Sequence, residues 1–77
     1  MTTFPINPTT WASIRDVRGT AHLFTHANPE GRGFLTYTGL DWALAHGSAL
    51  TLDGRGIKLR KAEVAAIRKA SRATVGA

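Results

Sequence analysis

The chain has 77 residues, 43% of them hydrophobic, no cysteine, and a formal net charge of +5. That length supports one domain with one small core, and the hydrophobic share argues against global disorder. The missing cysteines exclude disulfide staples, thiolate metal sites and cysteine nucleophiles. No apolar run nears the roughly 20 residues of a membrane span, and no signal-peptide pattern opens the chain, so a cytoplasmic protein is expected.

Asn7-Pro8 reads as a helix start. Asn is a favoured cap, and Pro suits the first helical position, where its missing N–H is not needed. Ile6 and Trp11 fall at staple positions around that cap. Trp11, Ile14 and Val17 mark one helical face, and Gly19 ends it. A β-hairpin follows. Asn28-Pro29-Glu30-Gly31 has Asn, Pro and Gly where a type I turn with a following bulge needs them. Residues 20–27 and 33–38 are rich in Thr, Phe, Leu and Tyr, as strands are. A bulge register would set Phe24 beside Thr36 and His26 beside Phe34. His22, Phe24, His26, Phe34 and Thr36 then share one face, and Ala21, Leu23, Thr25, Leu35 and Tyr37 the other.

Thr38 to Asp41 resembles a capping box. A short helix should follow with Leu40, Ala43 and Leu44 inward, His46 in its last turn and Gly47 at the left-handed C-terminal position. Residues 49–52 and 57–59 flank Asp53-Gly54-Arg55-Gly56 and read as a second hairpin. A final helix is expected from Arg60 to Thr74. The predicted order is α-β-β-α-β-β-α, an α+β fold whose helices pack on one face of a small antiparallel sheet. The expected core is Trp11, Ile14, Leu23, Leu35, Tyr37, Leu40, Leu44, Leu50, Leu52, Ile57, Val64 and Ile67.

The charge is not spread evenly. From Gly54 onward Arg55, Lys58, Arg60, Lys61, Arg68, Lys69 and Arg72 stand against Glu63 alone, a net of +6. The first 53 residues carry three arginines against four acids, a net of −1. At 100° per residue, Lys61, Ala65, Arg68 and Arg72 line one stripe of the last helix, with Lys69 beside it. Ala62, Ala66, Ala70 and Ala73 occupy the other side, grading into Ile67. Lys58, Arg60 and Lys61 crowd a helix start, where the dipole disfavours cations. A bound anion there would relieve that repulsion. The seven cations are therefore the expected anion or partner contacts. The partner is a nucleic acid or an acidic protein or nucleoprotein surface, since the same long-range field attracts either.

The His/Phe strand face has two readings. Exposed aromatics on a sheet can stack nucleobases. The alternative makes this the core face, and it is preferred because so short a chain can hardly leave Phe24 and Phe34 exposed. His22 and His26 lie two pleats apart, about 13 Å if extended, too far to share one ion, and no metal or cofactor is expected. Ser13, Ser48 and Ser71 are possible nucleophiles, and His22, His26 and His46 possible bases. No recognisable spacing joins them. Gly31-Arg32-Gly33 and Gly54-Arg55-Gly56 lack the phosphate-loop context of a following helix. A non-catalytic binding protein is expected.

In size and plan the chain resembles the small accessory proteins of phages and mobile elements, a class that includes CRISPR inhibitors. The resemblance covers no alignable motif and carries over no functional residue. It implies an alternative in which the protein is an inhibitor that docks on an acidic or nucleic-acid-binding surface of a host complex.

Overall fold

A strand pair occupies the segment in which the first helix was expected. The computed structural model describes residues 3–75, with side chains to residue 72. Strand β1 (Phe4–Asn7) pairs antiparallel with β2 (Thr10–Val17). Asn7-Pro8 opens the tight turn between them, and the Asn7 Oδ1 accepts the Thr9 N–H at 2.9 Å. Asn followed by Pro begins a turn as well as it begins a helix. The spacing of Trp11, Ile14 and Val17 fits a helix, but β2 also alternates. Ala12 and Ile14 point to the core, and Trp11, Ser13 and Arg15 point away. Pairing on both sides of β2 decides between the two periods. Pro5 is tolerated because β1 is an edge strand.

Arg18 and Gly19, both at positive φ (55° and 84°), turn β2 into β3 (Thr20–His26). Positive φ at both central residues matches the right-handed twist of the flanking strands. The Asp16 Oδ1 holds the Gly19 N–H at 2.7 Å. Gly19 thus closes a hairpin rather than a helix.

Between β3 and β4 (Thr36–Gly39) runs a long loop, residues 27–35. The expected turn is present. Gly31 has φ 76°, and its N–H reaches the Asn28 carbonyl at 3.3 Å. The Asn28 side chain clamps Arg32 twice, accepting its N–H at 2.8 Å and donating to its carbonyl at 3.0 Å. The register differs from expectation by one residue: Phe24 faces Tyr37, and Thr25 faces Thr36. A one-residue slip exchanges the faces of a strand. Tyr37 therefore joins Phe24, and Thr36 turns to the core side. Gly31→Val should cost on the order of 1–3 kcal/mol, because a β-branched residue resists positive φ and Gly31 is buried. A denaturation midpoint equal to wild type would show that the loop does not need this conformation.

Helix α1 (Leu40–His46) follows β4 directly. Thr38 does not cap it. Gly39 is the cap residue and makes no side-chain bond, while the Thr38 hydroxyl accepts the Leu50 N–H at 2.8 Å. That bond ties the sheet to a small ribbon of β5 (Ser48–Leu50) and β6 (Gly56–Lys58). Gly47, at φ 62°, closes α1 through its N–H on the Ala43 carbonyl at 2.8 Å. Helix α2 (Lys61–Val75) ends the described chain.

Among the described residues the architecture is α+β with two helices, not three. The main sheet has the order β1-β2-β3-β4, all antiparallel. Both helices lie on one face, where Ile6, Ala12, Leu23, Leu40, Ala43 and Ile67 form the core and Ile14 and Leu44 pack beside it. Leu35, Tyr37, Leu52 and Ile57, expected inside, are exposed. The register slip sends Tyr37 outward, and Ile57 of the ribbon and Leu52 of its turn lack a covering layer. Among the described residues no helix is long and apolar enough to cross a membrane.

Candidate anion-binding surface

The Leu59 N–H donates to the Gly47 carbonyl at 2.8 Å, and Ser48 pairs with Lys58. These bonds bring the end of β6 against the end of α1, just before α2 starts. A groove of about 340 Å³ opens there, lined by His46, Gly47, Lys58, Leu59, Lys61, Val64, Ala65 and Arg68. None of these is acidic. Lys58 comes from the ribbon, and Lys61 and Arg68 come from one stripe of α2, two turns apart.

Glu63, the sole acid of the C-terminal segment, is turned away from this groove and buried. One carboxylate oxygen accepts the Arg60 N–H at 2.8 Å, and the other accepts the Asn7 side-chain N–H at 2.6 Å. A carboxylate three residues into a helix satisfies an orphan donor and complements the dipole. The helix start therefore supplies its own anion, where sequence alone suggested that a ligand would. Glu63 also binds α2 to the turn after β1. The carboxylate's position in the first turn was the available signal for this role.

The seven sequence-predicted cations fall in separate places. Lys58, Lys61 and Arg68 meet in the groove, and Arg72, exposed, continues their stripe one turn on. Arg60 lies in a second cavity on the other side of Lys58, lined also by Asn7, Pro8, Thr9, Ile57 and Glu63. Lys69 lies beside Phe4, Pro5, Ala66 and Ala70, on the β1 side of α2. Arg55, at the ribbon turn, has its Nε 3.4 Å from Asp53. A hydrogen bond from the Thr51 hydroxyl, aided by backbone N–H groups, holds the Asp53 carboxyl below the usual carboxylate range. That anion offsets the Arg55 charge locally.

His46, on the groove wall, belongs to an aromatic pair with Trp42. The Trp42 ring stacks on the His46 ring at 4.4 Å and 21°. The His46 Nδ1–H donates to the Trp42 carbonyl at 2.9 Å, which fixes the imidazole. Trp42 is 40% exposed. Trp42 belongs to no motif that the sequence shows. The signal was its spacing of four from His46 on a helix, which puts the two rings one above the other.

The His/Phe face is not the helix-packed core face. Leu23, Ala12 and Ile14 take that side. On the opposite side Phe24 is buried beneath Phe34, Tyr37 and Arg15. Its ring lies 4.8 Å from both Phe34 and Tyr37, and the Arg15 guanidinium sits 5.0 Å above it. His26 is also sealed there. The Gly33 carbonyl can only accept, so the His26 Nδ1–H donates to it at 2.6 Å, and Nε2 accepts the Ser13 hydroxyl at 2.8 Å. Hydroxyl, imidazole and carbonyl form a line like that of a nucleophile pair. Solvent reaches neither Ser13 nor His26, and what the line does here is fasten loop 27–35 to the sheet. Among the described residues no three His, Asp or Glu side chains gather as metal ligands. No family model, curated protein or solved structure matches the chain.

Proposed function

We propose that the protein is a small non-catalytic binding protein whose Lys58, Lys61 and Arg68 groove takes the phosphate backbone of a nucleic acid, free or within a nucleoprotein complex. The observation that supports this best is the convergence of three cations from two elements on a groove without a carboxylate. Cations gathered in this way attract polyanions and lose that attraction when salt screens them. A protein partner would need apolar anchors at the centre of the contact. The groove's own apolar lining is Leu59, Val64 and Ala65, while the more exposed Leu35, Leu52 and Ile57 lie outside it.

The test is the double variant Lys61→Glu/Arg68→Glu. Both residues are exposed, so its unfolding midpoint should stay near wild type, with any change within about 0.5 kcal/mol. Its affinity for oligonucleotides should fall, and the slope of log affinity against log salt should become shallower by about 0.7–0.9 for each phosphate contact removed. An unchanged slope and affinity would remove the groove from the function. If the wild-type protein binds no nucleic acid even at low salt, the partner is instead an acidic protein surface, as for an inhibitor of a host complex.

A further inference from the structure

We propose that the nucleic acid in this groove is single-stranded and that one of its bases lies on the indole of Trp42; the inference rests on the groove reading above. Trp42 is a large aromatic residue left 40% exposed in a protein with a small core. Its ring is not loose. One face is held by His46 at 4.4 Å, and His46 is itself fixed by its bond to the Trp42 carbonyl. The exposed part of the indole, held in place by His46, is an apolar surface that costs little further ordering on binding. His46 lines the groove that holds Lys58, Lys61 and Arg68, and Trp42, outside that lining, is stacked directly on His46, which sets the indole next to the cations.

That combination has a specific chemical fit. Cations along a groove track phosphates, and an aromatic face beside them stacks a base, whatever its identity. In a duplex both faces of each base are already stacked on neighbours, and the base is closed to such a platform. A single strand can turn one base outward while its phosphates stay on Lys61 and Arg68. Neither the cations nor the indole reads the sugar, so DNA and RNA strands share the chemistry.

Fluorescence of Trp42 provides the test. The chain has two tryptophans, and Trp11→Phe leaves Trp42 as the sole indole. This variant would be titrated with oligodeoxyuridylate and oligouridylate of about 12 nucleotides, within the site sizes known for such grooves, and with a blunt-ended duplex of about 12 base pairs at equal phosphate concentration. Both single strands should quench the indole, the tighter of the two marking the sugar preferred, and the duplex should bind more weakly without quenching. Trp42→Ala should weaken single-strand binding roughly 5- to 150-fold, while Trp42→Phe, which keeps a ring and the fold, should retain most of it. Equal binding of duplex and single strand with no quenching would overturn the stacking and leave the groove intact. Failure of all three probes to bind at low salt would overturn both.

Discussion

Ile67→Ala should remove about 2–5 kcal/mol of stability. Ile67 of α2 is fully buried and enters the core with Ile6, Ala12, Leu23, Leu40 and Ala43, with Ala66 packed beside it. Truncation removes its transfer free energy and leaves a cavity between helix and sheet that the neighbours fill only partly. A single core in a domain of this size supplies only about 3–5 kcal/mol. The variant should therefore melt roughly 10–30 °C lower, or be largely unfolded at physiological temperature. Because α2 carries Lys61 and Arg68, the basic groove should be lost with the fold. Ile67→Leu, which keeps the volume, should cost less than about 1.5 kcal/mol. Thermal unfolding followed by circular dichroism checks both variants. A small shift for Ile67→Ala would mean that α2 is held by something other than this contact.

Glu63→Ala is the second large expected effect, about 3 kcal/mol. The carboxylate accepts two hydrogen bonds in a largely buried position, and bonds to an ionised partner are stronger than neutral ones. Its removal leaves the Arg60 N–H and the Asn7 amide without that partner and takes the negative charge from the helix start. Glu63→Gln should lie between wild type and Ala, since an amide keeps one acceptor oxygen of the two. The binding readout separates the cap from any ligand role. Removing an acid raises the net positive charge, so nucleic-acid affinity at low salt, measured below the melting point, should hold or rise. A loss of affinity in folded Glu63→Ala would place Glu63 in the binding site itself.

Local chemistry made much of the second half of the chain legible. Gly47 was expected at the left-handed end of α1 because only glycine takes that conformation without strain, and it has φ 62°. Gly31 was expected at positive φ for the same reason. The extent of α2 followed from its charged and apolar stripes, and the segregation of basic residues into the C-terminal segment is a property of composition. The ribbon of β5 and β6 was legible from Asp53-Gly54 between two apolar runs.

Three features depended on contacts that no local pattern contains. The segment Thr10–Val17 satisfies both a helical and a strand period, and hydrogen bonding to β1 on one side and β3 on the other selects the strand. The register of β4 depends on how many residues loop 27–35 consumes. That number follows from Asn28 clamping Arg32 and His26 holding Gly33, and one residue of difference moved Tyr37 to the open face. The basic groove depends on the Leu59 bond to Gly47, which joins Lys58 of the ribbon to Lys61 and Arg68 of the helix and brings His46 beside them. The sequence by itself determined which residues carry charge, which turns need glycine and where α2 runs, because those are matters of a few neighbouring residues. Only the tertiary structure decided which cations share a surface, because charges brought together by separate elements meet through the packing of those elements and not through their spacing along the chain.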